Sequence, residues 1–340
     1  MPEIPYSPIR RALRAFIRDQ YAANADLTLA QIYDHDYAGY RVHPELLAFV
    51  GEQRPAVRHI LELEQRRAGG SLERLFVATT RARIYHNYQF LRFSAGDQLQ
   101  LRTIYRDYLA GMAGALATPG RPAEIGDRLR AAILEHFAAL QGFVAGLVAV
   151  QGRGPIAAPA VCEEYPPRLQ LELLGIDLAT LRGPILDVGC GSRGHLVRAL
   201  RAAGYAAFGI DRSVAPAEGF IAADWLSFPL RPATWGAIIS HMAFSNHFIF
   251  QHLHSRAAPA AYARKFMEIL AALQPGGALY YSPGLPFIEQ FLAPAEYSVT
   301  RRPVAAPPAW GARYAGAYAD LLGGTPLYAT QIVRRSRAAR

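Results

Sequence analysis

Residues 184–194 read Pro-Ile-Leu-Asp-Val-Gly-Cys-Gly-Ser-Arg-Gly. An apolar strand carries a carboxylate, Asp187, and runs into a turn with glycine at 189, 191 and 194. Glycine lets backbone approach a ligand with no Cβ in the way, and the turn opens a helix. Two further carboxylates follow at spacings that suit one ligand. Asp211 closes a second apolar run 22 residues after Gly189, where a carboxylate receives both hydroxyls of a ribose. Asp224 closes a third run and precedes Trp225, a carboxylate for an exocyclic amine beside a flat ring. Cys190 in the turn and Arg212 after Asp211 complete the candidate binding set. Together these residues describe a pocket for a nucleoside.

Asp187 selects the charge of what the nucleoside carries. A dinucleotide lays its pyrophosphate against the helix N-terminus, and a carboxylate at that spot repels it. A cationic ammonium is attracted there instead. The expected ligand is therefore S-adenosylmethionine rather than a nicotinamide dinucleotide.

These residues need a parallel sheet to hold them. Residues 185–188, 206–210, 220–223, 235–240 and 278–282 read as strands, with helices over 194–203 and 260–273. The second helix is closed by Gln274-Pro275-Gly276-Gly277. Such alternation implies right-handed crossovers and a mostly parallel sheet. Residues 297–301 and 327–334 supply two more strands with no clear helix between them, an antiparallel closing pair. Residues 1–150 read as helices, through apolar stripes at 7–21, 44–67 and 123–150 and an aromatic-rich stretch at 81–109. The expected organisation is a helical cap at 1–150, a Gly/Pro/Ala-rich linker and approach helix at 151–175, and a Rossmann-like domain at 176–340.

Residues 160–335 resemble the class I S-adenosylmethionine-dependent methyltransferase superfamily. The resemblance rests on Asp187, Gly189, Gly191, Asp211 and Asp224, each at a position that family uses for the cofactor. It implies an α/β fold with an antiparallel closing strand. One departure is the extra residue before Gly194. The segment Cys162–Gly175 (Cys-Glu-Glu-Tyr-Pro-Pro-Arg-Leu-Gln-Leu-Glu-Leu-Leu-Gly), together with Gly191-Ser192, is similar to a narrower group. These are the azetidine-2-carboxylate synthases of nonribosomal-peptide pathways, which use the fold without methylating anything. The resemblance places Tyr165 and Ser192 around the sulfonium and amino-acid part of the substrate.

In that reaction the α-amine attacks its own Cγ, opposite the sulfonium. A four-membered ring closes and 5′-methylthioadenosine leaves. The protein must hold the chain in a near-attack geometry. A sulfonium over the Tyr165 ring gains about 0.5–2 kcal/mol as a cation–π contact. The attacking amine must be neutral, so Ser192 and Asn246 are candidates to hold it without a firm ion pair. Asp187 fits this less simply, because a direct ion pair favours the ammonium form. The alternative is methyl transfer to a small-molecule acceptor, with His247 as general base and the helical cap shaping the acceptor pocket.

The segment after the fourth strand, Ser240–Phe248, is not the Asn-Pro-Pro-Tyr of amino-group methylases acting on nucleic acid or protein. His241, His247, His252 and His254 cluster nearby, but their spacing matches no familiar zinc pattern and no metal is expected. The net charge is +9, carried by arginine apart from the single lysine, Lys265. The arginines are scattered, and the one compact group (Arg334, Arg335, Arg337, Arg340) reads as a solvated tail, so nucleic acid is not an expected partner. There is no uninterrupted run of 18 apolar residues and no signal-peptide pattern. The two cysteines, Cys162 and Cys190, build no disulfide framework. The expectation is a cytoplasmic enzyme acting on small molecules, with no membrane partner.

Overall fold

A computed structural model describes residues 6–23, 44–66, 69–87, 90–151, 165–255, 258–304 and 327–336. Within it the chain forms two compact units, Met1–Pro159 and Ala160–Arg340.

The first unit is helical. It contains α1 (Tyr6–Ala22), α2 (Pro44–Glu52), α3 (Arg54–Gln65), α4 (Ser71–Asn87), α5 (Ala95–Ala117) and α6 (Pro122–Gln151). Ile9, Leu13 and Ile17 form the buried stripe of α1 at helical spacing. The aromatic stretch read over 81–109 is split between α4 and α5. The break is written in a capping box: Ser94 accepts from Asp97 N–H, and Asp97 accepts from Ser94 N–H. Tyr105, Tyr108 and His136 pack together in the interior, with burial pushing His136 down to about 3.

The second unit is a seven-stranded sheet with order β3-β2-β1-β4-β5-β7-β6. The strands are β1 (Ile185–Val188), β2 (Ala207–Asp211), β3 (Phe220–Ala222), β4 (Trp235–His241), β5 (Leu273–Ser282), β6 (Tyr297–Pro303) and β7 (Tyr328–Arg334). The first five are parallel, and β7 runs antiparallel between β5 and β6. This order, with its inserted antiparallel strand, is the class I methyltransferase fold. β1 is central and buried along its whole length, with Ile185, Leu186 and Val188 suited to burial and Asp187 the one polar side chain in it.

Alternating side chains build two cores. Ile185, Ala207, Ile239 and Ala278 face α7 (Pro167–Leu174) and α8 (His195–Ala202) on one side. Leu186, Val188, Ile210 and Ile238 face α9 (Phe244–His254) and α10 (Pro259–Ala272) on the other. Three expectations need correction. The segment 244–254, for which the sequence predicts no element, is a helix; every residue from Phe244 to Gln251 is buried, so it shows no amphipathic stripe. The Gln274–Gly277 turn lies inside β5, where the pairing with β4 shifts register. Arg334 is not a solvated tail: it belongs to β7 and donates to the carbonyls of Ala271 and Leu273. Arg337, Arg340 and Cys162 lie outside the described residues.

Candidate active site

A small cleft, with a cavity of about 30 Å³, opens at the carboxyl ends of β1 and β4. The reversal of strand order beside β1 puts it where open α/β sheets bind ligands. Its lining includes Asp187 from β1, the turn residues Gly189, Cys190 and Gly191, and Gln170 from α7. Arg193, Gly194 and His195 continue the wall at the head of α8, and His241 ends β4.

The glycines are there for two different reasons. Gly189 has φ +82°, and a Cβ on it would overlap the Ala243 methyl. Gly194 has φ +56°, and a Cβ would enter the Phe220 ring. The first keeps the turn close to the β4–α9 connection; the second seats the helix start on β3. The turn is also tied sideways. Asp211 Oδ2 accepts from Gly191 N–H at 3.2 Å, and Asp211 Oδ1 accepts from Ser213 N–H at 2.7 Å.

Asp187 is 3% exposed. Burial, and then the Asp211 carboxylate, raise it from 3.8 to about 7. His241 is pushed the other way by burial, from 6.5 to about 4, so it is neutral at physiological pH. Its ring meets Tyr165 edge-on, with centroids 5.7 Å apart. Tyr165 thus packs on a cleft residue without itself being among those that line the cleft. Gln170 Nε2 donates to the Tyr165 carbonyl at 2.9 Å, fixing the chain that leads into α7.

The remaining candidates separate into another group. Trp225 is a core residue, in edge contact with Phe244, His247 and Tyr262. His247 is buried against that indole. Asp224 Oδ1 accepts from Leu226 N–H at 3.0 Å. Asn246 is 1% exposed and donates to the Met242 carbonyl at 2.8 Å, while its Oδ1 is buried with no hydrogen-bond partner. Met242 itself has φ +56°, an uncommon conformation for a side chain of that size. Ser192 is exposed in the glycine turn, and Arg212 is half-buried after β2. Neither Ser192 nor Asn246 is among the residues lining the cleft around Asp187.

The histidine cluster disperses onto aromatic partners. His241 packs on Tyr165, His247 on Trp225, and His252 stacks on Phe287 at 4.2 Å. The His254 side chain lies outside the described residues. Among the described residues no group of three or more His, Cys, Asp or Glu is arranged to hold a metal. No described helix is long and apolar enough to cross a membrane.

Sequence reasoning did not single out Gln170, Arg193 or His195. Gln170 left one signal. It lies on the buried stripe of α7 with Leu173 and Leu174, a polar residue where helical spacing calls for an apolar one.

No protein-family model and no curated protein matches the sequence. Solved structures are similar at low identity. One is an S-adenosylmethionine-dependent methyltransferase from Mesorhizobium loti, 18% identical, with 49% of this chain and 97% of that one covered and a TM-score of 0.31. Another is the N-methyltransferase NodS from Bradyrhizobium japonicum WM9 in complex with S-adenosyl-L-homocysteine, at 12%, 52%, 92% and 0.34 in the same order. A third is the cyclase SpnF, at 17%, 51%, 82% and 0.32. The fold of the described residues of the second unit rests on the strand order and register given above.

Proposed function

We propose that the protein is an enzyme that binds S-adenosylmethionine in the β1–β4 cleft and cyclises it to azetidine-2-carboxylate and 5′-methylthioadenosine. The observation that carries this reading is Asp187, a carboxylate 3% exposed in the cleft lining and pushed up to about 7 by burial and by the Asp211 carboxylate. The substrate enters with a protonated amine. Ring closure needs that amine neutral, so one proton must leave before attack. A carboxylate of ordinary acidity would hold the ammonium as an ion pair. Asp187 is raised to about 7 in the empty cleft, the entering cation favours its ionised form, and that buried carboxylate then stands as the acceptor for the amine proton.

The amine nitrogen then forms its bond to Cγ, and the Cγ–sulfur bond breaks. Its electron pair neutralises the sulfonium, giving the thioether of methylthioadenosine. The new ring nitrogen retains two protons, and the net product of the reaction is one proton, received by Asp187. Tyr165, beside His241 at the cleft wall, supplies the ring face for the sulfonium. Asp211 and Asp224 serve the ribose and the adenine amine, and Gly189, Cys190 and Gly191 pass backbone along the ligand. Ser192 and Arg212 lie in the loops after β1 and β2, while Trp225, Asn246 and His247 belong to the packed interior and take no direct part in this step.

Pure protein with S-adenosylmethionine alone tests the reading. The expected products are methylthioadenosine and the four-membered amino acid in equal amounts, above the spontaneous rate. Methylthioadenosine at only the spontaneous rate overturns cyclisation. S-adenosylhomocysteine formed only with an added small-molecule acceptor would assign methyl transfer instead.

A further inference from the structure

Gln170 is a glutamine buried to 8% exposure whose amide has one end already committed. The Tyr165 carbonyl can only accept a hydrogen bond, so the end of the amide facing it at 2.9 Å must be the nitrogen. The oxygen is then what the side chain offers to the cleft it lines. Asp187 and the neutral imidazole of His241, both buried and each able to accept, belong to the same lining. The permanent cation of the lining, Arg193, is exposed at the head of α8. The cleft is therefore acceptor-lined within and cationic at its rim.

A zwitterionic amino-acid group fits this polarity in one direction, ammonium inward and carboxylate outward. We infer that Gln170 Oε1, paired with Asp187, receives the α-amine of the substrate and selects ligands that carry one. This rests on the proposed use of S-adenosylmethionine. The two acceptors have different tasks. Asp187 can take a proton. The Gln170 amide cannot, so it keeps an N–H of the neutral amine engaged after the proton has gone and restrains its direction of attack.

The test compares three ligands by calorimetry on the full chain. S-adenosylmethionine has amine and carboxylate, its decarboxylated form keeps the amine alone, and methylthioadenosine has neither. Gln170→Met, which keeps the volume and removes the acceptor, is expected to weaken the first two by about tenfold and leave methylthioadenosine unchanged. Unchanged methylthioadenosine binding also shows that the variant is folded. Gln170→Glu is expected to bind S-adenosylmethionine more tightly and turn it over more slowly, because an added carboxylate favours the ammonium.

Equal weakening of all three ligands assigns Gln170 a purely structural role and overturns the inference. Weakening of S-adenosylmethionine without its decarboxylated form places the amide at the carboxylate and also overturns it. Wild-type protein that binds none of the three overturns the functional reading itself. Tight wild-type binding with no ligand discrimination at Gln170 overturns only the role of this residue.

Discussion

Asp187 lies in the field of Asp211, and burial together with that second carboxylate lifts it to about 7. A cation in the cleft favours the ionised form. Below pH 7 the ligand must therefore displace a proton. Affinity for S-adenosylmethionine is expected to rise by nearly tenfold per unit between pH 5 and 7 and to level off above. Asp187→Asn should flatten the profile, and Asp211→Asn should move its midpoint down. Calorimetric titrations at five pH values check this; a flat wild-type profile would refute it.

The same shift has a consequence for the empty protein. The native pKa is raised above the ordinary 3.8, so the folded chain holds a proton that the unfolded chain releases. This contribution to stability is complete below about pH 4 and is lost as pH rises through 7. Its size is on the order of 4 kcal/mol. Urea midpoints should fall between about pH 4 and 7 in the wild type, level off above, and fall less in Asp187→Asn. Saturating ligand should narrow the difference, since it binds the ionised form.

Glycine 194 and glycine 204 both have positive φ, +56° and +89°. They differ in what surrounds them. A Cβ at Gly194 would enter the Phe220 ring, while one at Gly204 meets nothing within 4 Å. Gly204→Ala should cost only the left-handed backbone penalty, about 1 kcal/mol. Gly194→Ala should cost about 2–4 kcal/mol, because the ring must also move. It should weaken ligand binding as well, through the turn that Gly194 closes. Denaturation of both variants, with methylthioadenosine titrations, measures the contrast. Equal costs would show that the Phe220 contact is soft.

The strand that carries Asp187 and the turn after it are legible because strand, carboxylate and glycine each restrict the backbone in ways that sequence spacing records. The closing strands are legible because the sequence between them shows no clear helical pattern. Other features depend on distance in space. His241, His247 and His252 are neighbours in sequence, yet each packs on a different aromatic ring. Trp225 follows Asp224 directly, but the strand end turns its indole into the core beneath α9 and α10. Gln170 reads as one polar residue on an apolar stripe, and only the carbonyl of Tyr165 reveals which end of it is free for the cleft. The raised Asp187 is likewise a property of depth and of Asp211, which sequence order alone does not measure.

Glu289 provides a prediction away from the cleft. Its side chain is fully buried on the short helix α11 (Pro286–Glu289). It accepts from Tyr281 at 2.6 Å, Leu285 N–H at 2.8 Å, Thr330 at 2.9 Å, Tyr328 at 3.1 Å and the Arg301 guanidinium at 2.7 Å. One carboxylate thus ties α11 to β5, β6 and β7, where the antiparallel strands close the sheet. Glu289→Leu fills similar volume but leaves these donors without an acceptor, and should cost about 3–5 kcal/mol. Glu289→Gln keeps one acceptor oxygen and replaces the other by a donor, so its cost should be smaller, about 1–3 kcal/mol. Arg301 is half-exposed and can turn to water, so Arg301→Met should cost least, about 1 kcal/mol. Urea denaturation of the three variants orders them. If Arg301→Met proves as costly as Glu289→Leu, the ion pair rather than the buried hydroxyl set holds this edge together.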